Sequence, residues 1–168
     1  MNPVPRRGPG SRADESHPTR HELLDAAVAI LDRDGLIGLS IDSVTRQAGL
    51  AKGTFYVHFG DRSELLVELH RTFHDELFAT IALATSALPP GPERARTRLV
   101  AFLDGCRRQS GVRAMLLQAR SDPAVADEVD RRNDQAAKLL AADFRESFPH
   151  PVETARLVVA ATAEVALR

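Results

Sequence analysis

Apolar residues recur at every third or fourth position along most of this chain, which is the spacing of an amphipathic α-helix. In the first such stretch they are Leu23, Ala27, Ile30 and Leu31. Thr19 followed by Glu22 has the spacing of a capping box, so we expect a helix to begin there. Gly35 is expected to end this helix at about residue 34.

Two short helices are predicted next. Ser40 is a suitable N-cap for the first of them, and Gly49 ends it. Its buried side is expected to be Ile41, Val44 and Ala48. After a two-residue turn, a third helix is predicted over about 52–58, with Phe55 and Phe59 facing the core.

A long helix and a second group of helices complete the predicted order. Asp61 with Glu64 repeats the N-cap signal, and the helix that it opens is expected to reach about Ala84. The proline-rich run at 88–92 then breaks the chain. Further helices are predicted at about 93–109, 112–120, 123–147 and 152–168. Because no stretch alternates like a strand and aromatic residues make up only 5%, the predicted fold class is all-α.

This pattern divides the chain into three parts. Residues 1–18 carry many prolines and glycines and are expected to form a flexible basic tail containing Arg6, Arg7 and Arg12. A solvated tail is the favoured interpretation, and an arm that touches phosphates or the minor groove of DNA is the alternative. Residues 19–60 form the three-helix unit, and residues 61–168 form a larger helical domain.

The amino-acid composition says more about the environment of the protein than about its function. With 22 basic and 23 acidic residues the formal net charge is −1, so any case for DNA binding depends on local arrangement. The single cysteine, Cys106, excludes an intramolecular disulfide and fits a reducing cytoplasm. No apolar run approaches the roughly 18 to 20 residues of a membrane span, so we expect a cytoplasmic protein without a membrane partner.

The span from Ser40 to Phe59 has the layout of a helix-turn-helix, in which the second helix enters the major groove. Its second helix is expected to present polar side chains on one side and aromatic anchors on the other. The polar residues are Lys52, Thr54, Tyr56 and His58. Gly53 leaves the start of the helix open, where backbone N–H groups can approach a phosphate. Purely structural helical folds show the same spacing, so the layout alone leaves both interpretations open.

One continuous stretch of the sequence favours the DNA-binding interpretation over the purely structural one. Residues 48–66 contain the string Lys-Gly-Thr-Phe-Tyr-Val-His-Phe, followed by an acidic residue and Leu65-Leu66 at the start of the fourth helix. This run resembles the signature of the tetracycline-repressor (TetR) family, and the resemblance covers about residues 19–70. It implies a transcription regulator, usually a repressor, whose homodimer binds a palindromic operator in double-stranded DNA and is released by a small-molecule inducer. It implies neither catalysis nor a cofactor.

The resemblance also assigns roles to single positions. The residues that match DNA-contacting positions are Ser40, Lys52, Thr54, Tyr56, His58 and Arg62, to which the open helix start adds Gly53. Thr45 and Val57 depart from the usual residues, which limits inference about the operator sequence. Tyr56 keeps a structural alternative, since a tyrosine can also pack with its hydroxyl group satisfied.

The larger domain is expected to sense the ligand. His70 and His74 fall on the apolar arc of the long helix, so both are expected to face inward. They are core histidines, polar groups of a ligand pocket or, least favoured, part of a metal site. Other candidate pocket residues are Phe73, Phe102, Cys106, Met115 and Gln118, each of which has ordinary core packing as its alternative.

Two further features concern charge and assembly. The charged run through Arg131, Arg132 and Asp134 is expected to be a solvated helix face. The apolar helix at 152–168 is expected to form a two-fold interface with its copy. The family builds its dimer from its last two helices, and this chain stops at Arg168 after the first of the pair, so the chain is truncated or the dimer is built differently.

Two other classes of function fit the sequence less well. An enzyme is disfavoured because the sequence has no paired carboxylates, nucleophile elbow, phosphate loop or metal constellation. A regulator-like interaction protein that kept the fold and lost DNA binding is supported only by the nearly neutral net charge.

Overall fold

The computed structural model describes residues 17–108 and 122–166. In those ranges it contains helices and no strand, which confirms the all-α prediction. The helices are α1 (Pro18–Gly38), α2 (Ile41–Ala48), α3 (Lys52–His58), α4 (Arg62–Thr85), α5 (Pro92–Arg108), α6 (Pro123–Phe144) and α7 (Pro151–Ala166). The predicted helix at 112–120 and nearly all of the tail lie outside the described residues.

Local capping signals set most of the helix ends. Ser40 caps α2 and Asp61 caps α4, each by accepting a hydrogen bond from the backbone N–H three residues later. Gly49 ends α2 with a φ of 70°, a left-handed conformation that glycine adopts without steric penalty. These three predictions are confirmed.

The beginning and end of α1 differ from the prediction. The N-cap is His17, whose ring accepts a hydrogen bond from the backbone N–H of Thr19, so Thr19 lies inside the first turn. Pro18 explains the shift, because its fixed φ favours the first helical position. Gly35 interrupts the helix with a φ of 66°, as expected, but the chain makes a further turn to Gly38.

The main core crosses the predicted domain boundary at residue 60. Leu23 and Ala27 of α1, Phe55 of α3 and Leu65 and Leu66 of α4 are almost completely buried in one cluster. The first half of α4 therefore belongs to the core of the three-helix unit, and its second half continues into the larger domain. The division into domains stays a prediction, since α4 is shared between the two parts.

A second, smaller core lies between α5, α6 and α7. It consists of Ala95, Ala137, Leu140, Ala141, Phe144 and Ala155. Helix α6 packs against α4, α5 and α7, and its remaining side, with Asp127, Asp134 and Lys138, stays exposed. In the described ranges no helix is long and apolar enough to cross a membrane.

Candidate DNA-binding surface and helical cavity

The turn between α2 and α3 is closed by backbone hydrogen bonds. The N–H of Leu50 donates to the carbonyl of Thr45 at 2.8 Å, while Gly49 reverses the chain. Behind the turn, the rings of Phe55 and Phe59 lie 5.4 Å apart in the core. These aromatic contacts anchor one side of α3 and leave its other side outward.

The outward side of α3 carries Lys52, Gly53, Tyr56 and Val57. Tyr56 is 52% exposed and Val57 is 60% exposed, whereas Thr54 is half-buried. A Cβ atom added at Gly53 would meet no atom within 4 Å, so protein packing does not require glycine there. None of these side chains serves the core, which leaves them available to a partner.

Lys52 is held by an acidic residue of α2. Its Nζ lies 2.8 Å from Oδ1 of Asp42. The hydrogen bond and the charge of Lys52 lower the pKa of Asp42, and the same interaction raises the pKa of Lys52. The pair fixes the lysine at the start of α3, and a phosphate that approached Lys52 would have to share it with Asp42.

Ser40 combines an exposed position with a complete cap. Its Oγ accepts from the N–H of Ser43 at 3.0 Å, and its own N–H donates to Oγ of Ser43 at 2.9 Å. The start of α2 is thus already satisfied before any partner binds.

His58 does not share the outward side of α3, contrary to the sequence prediction. His58 is 5% exposed, and its ring lies 5.1 Å from the tilted ring of His17. Its Nδ1 atom has no hydrogen-bond partner in the described part of the chain. Burial, with the nearby His17 and Arg20, lowers its pKa. The reason is geometric: alternate residues do not share a helix face, and His58 lies three positions after the buried Phe55.

Arg62 also has a structural role that the sequence did not reveal. Its Nε donates to the carbonyl of Leu39 at 2.9 Å, and its Nη2 donates to that of Leu36 at 3.3 Å. The half-buried guanidinium therefore ties the segment between α1 and α2 to the start of α4.

Sequence reasoning missed Arg20, which joins α1, α3 and α4. It lies 4.5 Å above the ring of Phe59, donates to the carbonyl of His58 at 3.3 Å and pairs with Glu68 at 3.1 Å. Its neighbours are far away in the sequence, so no local pattern indicates that this arginine is buried.

The charged run of α6 is only partly a solvated face. Glu128 and Arg132 are 4% and 6% exposed, contrary to the prediction, whereas Arg131 and Asp134 remain outside. Arg132 donates to Glu128 at 3.0 Å and to Asp75 of α4 at 2.5 Å. The inward residues are four positions apart and lie on the helix side that packs against α4.

Glu128 is the centre of this ion-pair network. Arg131 binds it with two nitrogens, and Nε of Arg71 lies 3.3 Å away. Burial alone would raise the pKa of Glu128, but the hydrogen bonds from Arg131 and Arg132 and the charge of Arg71 outweigh burial and lower the pKa to about 2. The carboxylate therefore stays charged at neutral pH.

A cavity of about 60 Å³ lies beside this network, between α4, α5, α6 and α7. Its walls include His74, Phe78, Ile81, Arg98, Leu99, Phe102, Arg132, Asn133, Ala136, Leu139, Leu140, Val159 and Thr162. The structure thus brings together two of the predicted pocket residues, His74 and Phe102. Phe73 lines two different surface grooves, and Cys106 is buried in the main core. Met115 and Gln118 lie outside the described residues.

The two inward histidines form a stacked pair. The ring centroids of His70 and His74 lie 4.3 Å apart, and neither Nδ1 atom has a partner in the described ranges. Burial lowers the pKa of His70 to about 4. Burial, followed by the charges of His70 and Arg132, lowers that of His74 to about 3. Both rings are therefore neutral at pH 7, and the described residues include no group of three metal-ligating side chains.

Known proteins resemble this chain in sequence and in fold. A family profile described as "Bacterial regulatory proteins, tetR family" matches residues 23–69. The HTH-type transcriptional regulator BetI of Vibrio campbellii is 33% identical over 84 residues, which are 50% of this chain and 41% of BetI. The chain thus spans about two fifths of that relative's length.

Solved structures extend the likeness beyond the DNA-binding part. A transcriptional regulator from Rhodococcus sp. Rha1 superposes with a TM-score of 0.71 at 24% identity, covering 88% of this chain and 81% of that one. The multidrug binding protein EbrR, solved with imidazole, gives a TM-score of 0.65 at 19% identity and covers 88% and 96% of the two chains.

The helix-turn-helix, its turn and the long shared α4 have the layout of helical DNA-binding proteins. The match narrows this resemblance to the TetR family of bacterial regulatory proteins, and residues 23–69 carry it.

Proposed function

We propose that this protein is a transcription regulator that binds operator DNA as a homodimer and changes its DNA affinity when a small molecule enters the helical cavity. Such a regulator acts in the cytoplasm, where the bacterial chromosome lies. The observation that carries the proposal is the outward side of α3, where Lys52, Gly53 and Tyr56 are exposed and lie outside the buried core.

DNA contact is assigned to α2, the turn and α3. Phe55 and Phe59 fix α3 from behind, so its outward residues can enter a groove as one rigid unit. Tyr56 and Thr54 supply hydroxyl groups, and Lys52 supplies positive charge at the start of the helix. Arg46 of α2 is a further exposed cation that the sequence reading did not single out. His58 is left out of the contact set because its ring is buried.

The test is fluorescence anisotropy with labelled DNA from upstream of the protein's own gene. Tyr56→Ala and Lys52→Ala should each weaken binding roughly ten- to a hundredfold with an unchanged melting temperature. Lys138→Ala is the matched control, because Lys138 is an exposed lysine on α6. Full affinity in both α3 variants would contradict the assignment, and no binding by the unaltered protein would favour an interaction protein.

The dimer is assigned to the outward side of α7. Leu157 is 73% exposed and Val165 is 61% exposed, and between them lie the exposed Ala160 and Ala161. This apolar strip is unusual for solvent-facing helix and suits a two-fold contact with its copy. A two-fold dimer places two α3 helices in major grooves about 34 Å apart, which requires a palindromic operator.

Sedimentation velocity tests this interface. Leu157→Glu alters only the outward side of α7, because Leu157 does not line the cavity. A change at Val159 of the same helix would alter the cavity as well. We expect Leu157→Glu to shift the protein toward monomer and to weaken operator binding at least tenfold, because a monomer contacts one half-site. Leu83→Glu, at the similarly exposed end of α4, should leave the dimer intact. A stable monomer in the unaltered protein would overturn the assignment.

Ligand control is assigned to the cavity because α4 belongs to both parts of the molecule. His74, Phe78 and Ile81 of α4 line the cavity, while Leu65 and Leu66 of the same helix pack against the DNA-binding core. A volume of about 60 Å³ is smaller than most organic ligands, so a bound molecule must displace the walls of the cavity. Movement of α4 then reaches the DNA-binding helices.

A further inference from the structure

The cavity walls are apolar for the most part and include two charged side chains. Eight of the lining residues are apolar: Phe78, Ile81, Leu99, Phe102, Ala136, Leu139, Leu140 and Val159. Against them stand two arginines, Arg98 from α5 and Arg132 from α6. An apolar pocket with a localised charge suits a ligand that has an apolar body and one oppositely charged group.

Each arginine is held from behind by a buried acid. Nε of Arg98 donates to Asp143 at 2.8 Å, and Asp143 is 2% exposed. Within the described residues Arg98 uses no other nitrogen for a hydrogen bond, so its terminal N–H groups remain available on the cavity side. A guanidinium fixed in this way is prepared to bind a carboxylate with two parallel hydrogen bonds.

Arg98 and Arg132 each belong to an ion-pair cluster whose acidic residues do not cancel its positive charge. Asp143 is shared by two arginines, Arg94 and Arg98. In the other cluster the three acids Glu68, Asp75 and Glu128 face the four arginines Arg20, Arg71, Arg131 and Arg132. Each cluster therefore has one positive charge in excess. An excess positive charge beside the cavity attracts an anion and repels a cation.

His74 adds a neutral hydrogen-bonding group to the same cavity. It is 8% exposed, and its Nδ1 is buried without a partner in the described part of the chain. An unsatisfied buried nitrogen is unfavourable, and a polar ligand atom would relieve that cost. A ligand that carries an anion near Arg132 would also oppose the effects that now lower the pKa of His74, and would let the ring donate.

We propose that the regulatory ligand is an amphipathic anion, such as an aliphatic carboxylate, whose head group is bound by Arg98, Arg132 and His74 and whose apolar body lies among the aromatic and aliphatic walls. This inference rests on the proposed ligand control and specifies the chemistry of that ligand. An amine would meet the excess positive charge of both clusters.

Isothermal titration calorimetry on the full chain tests the head group directly. The probes are octanoate, 1-octanol and octylamine, which share one alkyl chain, together with butanoate and dodecanoate to vary its length. We expect the best carboxylate to bind at least about tenfold more tightly than octanol, and octylamine not to bind. Equal binding of octanol and octanoate, or no binding by any carboxylate, would overturn the proposal.

Two pairs of variants locate the effect. Arg98→Gln should weaken octanoate binding at least about tenfold, whereas Arg94→Gln, which removes the other partner of Asp143, should change it less than threefold. His74→Gln should weaken binding more than His70→Gln, because His70 does not line the cavity. Equal losses in Arg98→Gln and Arg94→Gln, with melting temperatures that show both variants folded, would contradict direct contact.

Anisotropy with operator DNA separates this proposal from the previous one. If the unaltered protein binds DNA but carboxylates neither bind nor alter that affinity, the anion proposal fails and the DNA assignment stands. If carboxylates bind by calorimetry while no DNA is bound, the DNA assignment fails and the ligand class stands.

Discussion

Helices α3 and α6 both carry several polar side chains, yet they place them in opposite ways. In α3, Lys52 and Tyr56 stay outside and the aromatic residues form the anchor. In α6, Glu128 and Arg132 turn inward and become part of the packing. A helix at the edge of a fold keeps its polar residues in water, whereas a helix that packs against several others must bury some of its polar residues and pair them.

The difference follows from the number of neighbours. Helix α3 lies at the edge of the molecule beside α2, while α6 packs against α4, α5 and α7. A buried charge is tolerated only when it is paired and hydrogen-bonded, and Glu128 meets this requirement through Arg131 and Arg132. Three predictions test this contrast.

The largest expected effect comes from removing the centre of the α6 network. Glu128→Ala leaves buried arginine charge without its main partner and should lower the free energy of unfolding by about 3 to 5 kcal/mol. Chemical denaturation followed by circular dichroism measures the change. Asp127→Ala, at the exposed neighbouring position, should stay within about 0.5 kcal/mol. If Glu128→Ala and Asp127→Ala have the same free energy of unfolding, the ion-pair network does not stabilise the fold.

The second prediction uses pH to charge the inward histidines. Burial lowers the pKa of His70 to about 4 and that of His74 to about 3, so both take up protons more readily in the unfolded chain. The stability that the two neutral histidines contribute is fully present above pH 6.5 and is lost as the pH falls toward 4 for His70 and toward 3 for His74. Each histidine should remove up to about 2 kcal/mol by pH 5, since one pH unit corresponds to about 1.4 kcal/mol.

The charged groups that face these rings are Glu128, Arg71, Arg131 and Arg132. Glu128 stays charged in this range because its pKa is about 2. The measurement is the denaturation midpoint between pH 7.5 and 5. A His70→Gln, His74→Gln double variant should flatten the profile, whereas His150→Gln, at an exposed position, should not. An unchanged slope in the double variant would contradict the burial argument.

The smallest expected effect on stability separates packing from function in α3. Gly53→Ala adds a Cβ in open space, so stability should stay constant or rise by up to about 0.5 kcal/mol through helix propensity. DNA binding should weaken if a phosphate approaches that backbone. Gly105→Ala is the contrasting change, because its Cβ would lie 2.3 Å from Cδ1 of Leu77 and should lower the melting temperature. Tight DNA binding by Gly53→Ala would remove Gly53 from the proposed contact set.

The sequence by itself determined the helices, their caps and the turn. Ser40, Gly49 and Asp61 act on backbone groups within about four residues, so the local sequence is enough to predict their effects. The exception is Thr19, which was predicted to cap α1. Pro18 occupies the first helical position, so the cap is His17. The inward positions of Phe55, His70 and His74 followed equally from helical period.

Tertiary structure alone decided which polar side chains are buried and what they bind. Arg62 and Arg20 look like ordinary surface cations in the sequence, but their partners lie on elements that are more than 20 residues away. The same holds for Arg132 with Asp75 and for Arg98 with Asp143. Helical period tells which residues share a face, but a face becomes interior only when another helix covers it, and that depends on how the chain packs.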